Sequence, residues 1–250
     1  MKIARIVHEG KESYARVEGS SLVLLEGKPG EAFRPAGGRI DLAKASLLAP
    51  CRPSKALCIG LNYRDHAVEF GLAIPSSPVV FIKPATALLD PLGSIIWPEL
   101  SKRVEYEAEL VVVMGRKAKN LKESEALDYV LGYTCGNDVT ARDLQPKEGQ
   151  WTVAKSFDGF MPLGPWIETE LDPGDLEISS FLNGQIKQHS RTSNLIFAVP
   201  ELVSYLSRVM TLEPGDVIMT GTPSGVGPMA RGDEIAVEIE GIGRLVNRLA

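Results

Sequence analysis

Val104-Glu105-Tyr106-Glu107-Ala108-Glu109-Leu110-Val111-Val112-Val113-Met114-Gly115 is the stretch that decides the fold. It is the strongest strand in the sequence, ending at a glycine. In a strand, residues i, i+2 and i+4 share one face. Glu105, Glu107 and Glu109 therefore project together, and Val111 and Val113 continue their face. Tyr106, Ala108, Leu110 and Val112 make the other. One face is apolar throughout, and its opposite switches from acidic to apolar. Carboxylates at this spacing repel and raise each other's pKa unless a cation lies between them. A hard divalent cation such as Mg²⁺ relieves that repulsion through oxygen ligands. The competing reading is a solvated edge face. Strand geometry does not choose between a Glu105/Glu107 and a Glu107/Glu109 pair.

Working outward, Lys55-Ala56-Leu57-Cys58-Ile59-Gly60 reads as a buried strand and Pro78 to Pro84 as a proline-bounded one. Lys2 to Val7 and Ser21 to Leu25 alternate like strands, with Glu18-Gly19-Ser20 as a turn. Gly27 to Arg39 is dense in glycine and proline and reads as a linker or irregular crossing. Asp216 to Thr220 and Glu234 to Ile239 close the chain with strands. Helical spacing predicts Tyr63 to Phe70, Ser124 to Leu131 and Pro200 to Val209. The last puts Leu202, Val203 and Leu206 on one face. No βα alternation suggests a Rossmann fold or TIM barrel. A soft boundary near Pro50 to Pro53 separates a small N-terminal β module (1–50) from the rest (51–250).

Composition narrows the chemistry. The chain has 250 residues, 44% hydrophobic and 24% charged, which excludes wholesale disorder. Its 27 basic and 32 acidic residues give a net charge of −5, which argues against nucleic-acid binding. No apolar run approaches the ~20 residues of a membrane helix. Lys2 and Arg5 precede no apolar segment, so no signal peptide is expected. Three cysteines (Cys51, Cys58, Cys135) without a CxxC suit a reduced cytoplasm. Only three histidines (His8, His66, His189) are present, so a nitrogen- and sulfur-rich zinc site is hard to assemble. Glycine (24) and proline (17) exceed the usual ~12% together, which favours many short strands and turns.

Four further segments could carry chemistry. Gly132 to Gln145 begins like a core strand and then offers Asn137, Asp138, Arg142 and Asp143. Asp138 could be a third carboxylate, or Asn137 or Asp138 a helix N-cap. Trp151 to Phe160 sets Lys155 among aromatic neighbours, as a partner for an anion or as a surface lysine with a snorkelling stem. Met219 to Gly227 is a glycine-rich strand exit that could hold a carboxylate, or an ordinary tight turn. It is neither GxGxxG nor a Walker loop. In Gly60 to Gly71, His66 and Glu69 fall at i and i+3 on a helix. They could form a water-activating base on a lid hinged at glycines, or lie on a surface helix.

Taken in order, these segments resemble the fumarylacetoacetate hydrolase family, and particularly its single-catalytic-domain bacterial members. The matching motifs are GLNYRDH (60–66), FIKP (81–84), YEAELVVVMG (106–115), GYTCGNDVTARDLQ (132–145), WTVAKSFDGFMPLGPW (151–166), LNGQ (182–185) and MTGTPSGVG (219–227), covering roughly 51–250. The resemblance implies a Mg²⁺ or Mn²⁺ ion held by Glu107, Glu109 and Asp138. It implies Lys155 near the metal, Thr222 on a substrate carboxylate, and Lys83, Arg142 and Gln145 lining the pocket. It makes His66 and Glu69 a catalytic lid dyad. The implied fold is α+β and mostly β, with a rolled multilayer β-sandwich core, and the implied assembly is a homodimer. The implied reaction is isomerisation or decarboxylation of a small 2-oxo or 2-hydroxy-diene dicarboxylic acid in aromatic (homoprotocatechuate) catabolism. An acylpyruvate hydrolase or oxaloacetate decarboxylase is the second expectation. A non-catalytic metal-binding β protein is the reading of another class.

Overall fold

A computed structural model describes residues 1–65, 74–147 and 149–250. Among them three sheets are built around the deciding strand. Its periodicity is as expected, but the strand is broken at Glu107. Val104–Tyr106 pairs with Thr140–Ala141 and Gly227–Pro228 in a small sheet. Ala108–Met114 pairs with Val130–Asn137 on one side and Val217–Met219 on the other, in the middle of the largest sheet. Glu107 thus sits where the chain passes from one sheet to another.

The order across the large sheet is Arg34–Asp41, Ser21–Glu26, Lys11–Glu18, Lys2–His8, Met161–Glu168, Val130–Asn137, Ala108–Met114, Val217–Met219, Ala56–Gly60 and Val79–Lys83. The N-terminal strands therefore extend the sheet that carries the site, joined to it by the pairing of Lys2–His8 with Met161–Glu168. A five-stranded sheet runs Gln185–Arg191, Glu177–Leu182, Glu234–Ile239, Gly243–Leu249 and Ser94–Ile95. Asn183 and Gly184, both at positive φ, turn the first hairpin.

The two faces of Ala108–Met114 bury into different cores. Leu110 and Val112 meet Ile178, Val237 and Ile239 of the five-stranded sheet, together with Leu202, Val203 and Leu206 of the helix Val199–Val209. Val111 and Val113 pack with Cys58, Leu163, Ile167 and Met219. Each fully buried aliphatic side chain contributes roughly 1.5–3 kcal/mol. A strand apolar on both sides is therefore held centrally in the molecule and is not the solvated edge that the acidic residues alone allowed.

Two local expectations are corrected. Glu123–Tyr129 is a 3₁₀ helix and the chain is already in a strand at Val130, so no helix spans Ser124 to Leu131. Its turn carries Ala126 as its one buried residue, too small an apolar face to hold a longer helix. Arg34–Asp41, read as part of a linker, is a strand bonded to Ser21–Glu26. It is almost wholly exposed, so its pairing rests on backbone hydrogen bonds that no hydrophobic pattern announces. Among the described residues no helix is long and apolar enough to cross a membrane.

Candidate metal and substrate site

Glu107, Glu109 and Asp138 converge. They offer one carboxylate oxygen each within 4.8 Å of one another, and all are buried. The sheet break at Glu107 and the end of Val130–Asn137 bring them together. The Glu107 N–H donates to Asn137 Oδ1 at 2.9 Å, and the Asp138 N–H donates to the Glu107 carbonyl at 2.9 Å. Asn137 and Asp138 therefore lock the break; neither caps a helix. Glu105 is also buried, but it is taken by two arginines, Arg103 and Arg142, at 2.6 Å each.

The cations are distributed unevenly. Lys155, at the end of the short helix Thr152–Lys155, is 2% exposed. Its ammonium donates to Glu107 Oε2 at 2.8 Å and to Asp138 Oδ2 at 2.7 Å, and lies 5.2 Å from the Phe81 ring centroid. Arg142 spans Glu105, Glu107 and Gln145. Lys83 is placed differently from the pocket-lining position that the resemblance implied. It is fully buried, pairs with Asp138 Oδ1 at 2.7 Å, and donates to the carbonyls of Val139, Lys155 and Phe160. Its donors are all committed, so it braces Asp138 and the end of the Lys155 helix from behind.

Glu109 has no such partner among the described residues. Among the described residues its carboxylate accepts one hydrogen bond, from the Gly221 N–H at 2.8 Å. Gly221 stands at φ +101°, and a Cβ there would come within 2.8 Å of Asn62 Cβ, so only glycine presents its N–H this way. Asn62 itself is buried and fixed by Phe197 and Thr220, which explains the asparagine of the 60–66 motif.

Electrostatics follow the geometry. Burial, with the Asp138 and Glu107 charges added, raises the Glu109 pKa well above the ordinary carboxylate value. Burial pushes Glu107 upward too, but Lys155 and Arg142 overcome it and hold that carboxyl low. For Lys155, burial works against the charge, and Asp138 and Glu107 more than offset it. The donor set fits a hard divalent cation: three buried oxygens converge, and one of them belongs to a carboxylate with no ion pair among the described residues.

Two members of the triad, Glu107 and Asp138, open on a cavity of about 640 Å³. Glu107, Asp138, Arg142, Gln145, Lys155 and Thr222 line its polar side. Ile59, Leu61, Phe81 and Trp151 line an apolar wall, and Lys147 stands at the exposed margin. The Trp151 ring lies against Gly60, where a Cβ would fall 2.4 Å from it. His66 and Glu69 lie outside the described residues.

One residue with a double attachment to this site was not read from the sequence. Gln188, fully buried on Gln185–Arg191, bonds both the Ala108 N–H and Thr222. Its strand buries two side chains, Gln188 and Ser190, and both are polar, so no hydrophobic pattern in the sequence marked it.

Comparison with known proteins agrees over the whole chain. The family described as "Fumarylacetoacetate (FAA) hydrolase C-terminal" matches residues 55–250, and "Rv2993c-like, N-terminal" matches 1–50. Protein Rv2993c of Mycobacterium tuberculosis is 45% identical, over 99% of this chain and 97% of its own. Oxaloacetate tautomerase Fahd2a, mitochondrial, of Rattus norvegicus is 41% identical, over 84% of this chain and 71% of its own. The crystal structure of 2-hydroxyhepta-2,4-diene-1,7-dioate isomerase from Mycobacterium marinum has a TM-score of 0.93 at 42% identity, covering 100% of this chain and 98% of that one. Fumarylpyruvate hydrolase from Pseudomonas aeruginosa, in complex with Mn²⁺ and pyruvate, has a TM-score of 0.74 at 36% identity, covering 79% and 90%. The chain belongs to the fumarylacetoacetate hydrolase family.

Proposed function

We propose that the protein is a divalent-metal-dependent enzyme acting on a small 2-oxo or 2-hydroxy-diene dicarboxylic acid, by isomerisation or decarboxylation through an enolate. The observation that carries this is the buried triad of Glu107, Glu109 and Asp138 beside a cavity that also holds Lys155, Arg142 and Thr222. The three carboxylates would hold Mg²⁺ or Mn²⁺, and the ion would supply the Lewis-acid charge that lowers the energy of an enolate.

The chain's own residues supply the rest. Lys155 and Thr222 border the triad and would hold the carboxylate of the 2-oxo acid, fixing its orientation. Arg142 keeps Glu107 ionised and holds Gln145 at the cavity wall. Phe81, Trp151 and Leu61 exclude water from the carbon skeleton. Lys147, at the exposed margin of the cavity, would favour a second, distal carboxylate. His66 and Glu69 would serve as the dyad that places or removes a proton. The protein would act as a homodimer in the cytoplasm.

Acylpyruvate hydrolysis, or oxaloacetate turnover, is the second reading. It is favoured by the similarity to a fumarylpyruvate hydrolase and to an oxaloacetate tautomerase. The test is a panel of 2-oxo dioates, 2-hydroxy-diene dioates, acylpyruvates and oxaloacetate, with Mg²⁺ or Mn²⁺ added. Diene absorbance, CO₂ and released pyruvate are followed. A shift in diene absorbance or CO₂ release on a dioate is expected. Pyruvate release from acylpyruvates alone would move the assignment to C–C hydrolysis. Turnover of none of them would favour a non-catalytic metal-binding protein.

A further inference from the structure

Gln188 joins two parts of the site through one side chain. Its Oε1 accepts from the Ala108 N–H at 3.0 Å, and Ala108 lies between Glu107 and Glu109. Its Nε2 donates to Thr222 Oγ1 at 2.7 Å and to the Pro223 carbonyl at 2.9 Å. The oxygen and nitrogen of a glutamine amide are assigned by their partners. Here those partners leave one assignment, because a backbone N–H only donates and a carbonyl only accepts. Both amide hydrogens are therefore used, and Thr222 Oγ1 receives one of them. A hydroxyl has a single hydrogen. With the amide on its lone pair, the Thr222 hydrogen is left for a different acceptor. No described residue provides one, and Thr222 borders the cavity beside Glu107, Asp138 and Lys155.

We propose that Gln188 is a positioning residue that fixes the direction of the Thr222 hydroxyl, making Thr222 a donor to an anionic oxygen in the cavity. The proposal rests on the 2-oxo-acid reading given above. Without the amide, the hydroxyl rotates and can turn a lone pair toward the anion. The bond to Ala108 adds a second effect: it ties the loop at Thr222 and Pro223 to the strand that carries the carboxylates. The donor and the triad therefore keep a fixed spacing.

The test uses oxalate, a planar dianion resembling the carboxylate and keto oxygens of a 2-oxo acid. Its binding to the Mg²⁺-loaded protein is measured by calorimetry, with Mg²⁺ binding measured separately. Gln188→Met should weaken oxalate about tenfold, the worth of one hydrogen bond to a charged group. Thr222→Val should weaken it by a similar factor. In the double variant the Gln188 change should add nothing, because it acts through the hydroxyl. Thr222→Ser keeps the hydroxyl and should keep the dependence on Gln188. Should Gln188→Met fail to fold, Gln188→Glu retains an acceptor for the Ala108 N–H. Its effect on oxalate should shrink when Thr222 is replaced by Val.

Losses that add independently in the double variants would mark Gln188 as merely structural and overturn the proposal. So would wild-type oxalate affinity in the Gln188 variants. A wild-type protein that takes up Mg²⁺ but not oxalate would overturn the 2-oxo-acid reading and this proposal together.

Discussion

Glu107 and Glu109 stand two residues apart on one stretch of chain, in opposite surroundings. Around Glu107 and Asp138, three cations are packed: Lys83, Lys155 and Arg142. Glu109 accepts from one backbone N–H and forms no ion pair among the described residues, with Lys155 acting on it only at longer range. The first half of the site is neutralised by the protein itself. The second half carries a buried carboxyl with no ion pair among the described residues. Three carboxylates alone make an acidic cluster; the uneven distribution of cations is what leaves room for an added positive ion. The cation-rich half fixes geometry, and the cation-poor half is where an added cation would be needed.

The hardest way to break that comparison is to remove the unpaired half. Glu109→Ala should abolish saturable Mg²⁺ binding in calorimetry, as should Asp138→Ala, because each deletes one of three converging ligands. Glu105→Gln is the contrasting variant. Its carboxylate is spent on Arg103 and Arg142, so Mg²⁺ binding should persist. Retained affinity in Glu109→Ala, or loss only in Glu105→Gln, would move the ligand set one step along the strand.

The cation-rich half should instead answer in stability. Lys83→Met leaves Asp138 Oδ1 without its ion pair and three carbonyls without a donor. Breaking a buried pair by removing one partner costs about 3–5 kcal/mol. Urea unfolding of the metal-free protein measures this. Lys147→Met, at the exposed margin of the same cavity, should stay within about 0.5 kcal/mol of wild type. A Lys83 variant as stable as the Lys147 variant would mean that Lys83 does not brace Asp138.

How far the sequence showed this can be judged residue by residue. The alternation across 104–114 put the right side chains on the right faces, because a strand's period is local geometry. The break at Glu107 was not visible: it arises when Asn137 and Asp138 bond its backbone, and they are 30 residues away along the chain or more. Glu105 is a mixed case: Arg103 stands two residues before it, but Arg142 comes from 37 residues away, and only the fold shows that both are spent on it. The motif resemblance separated Glu109 from Glu105 where spacing could not. Lys155 was legible as a lysine among apolar residues and Lys83 only through the motif resemblance, and neither showed that one borders the cavity while the other is sealed behind Asp138. Gln188 was unreadable for a simpler reason. Its role is set by two partners, Ala108 and Thr222, that only the packing of the five-stranded sheet on the large one brings together.

The smallest expected effect is in the pH dependence of the metal-free protein, and it sharpens the same contrast. Glu109 has a raised pKa in the folded state, chiefly through burial. Between the ordinary carboxylate pKa and that raised one, the folded chain holds a proton that the unfolded chain has lost. Stability then falls as pH rises through this window, by up to about 1.4 kcal/mol per pH unit. Glu107 works in the opposite sense. Its folded pKa is depressed by Lys155 and Arg142 against the pull of burial, so it adds stability above the ordinary value and loses it as pH falls toward the depressed one. In thermal melts with chelator from pH 5 to 9, Glu109→Gln should flatten the decline at the alkaline end. Above the ordinary carboxylate range it should be more stable than wild type. Glu107→Gln should leave that decline in place and lower stability near neutrality. A decline unchanged in Glu109→Gln would mean that the buried carboxylate is already balanced within the chain.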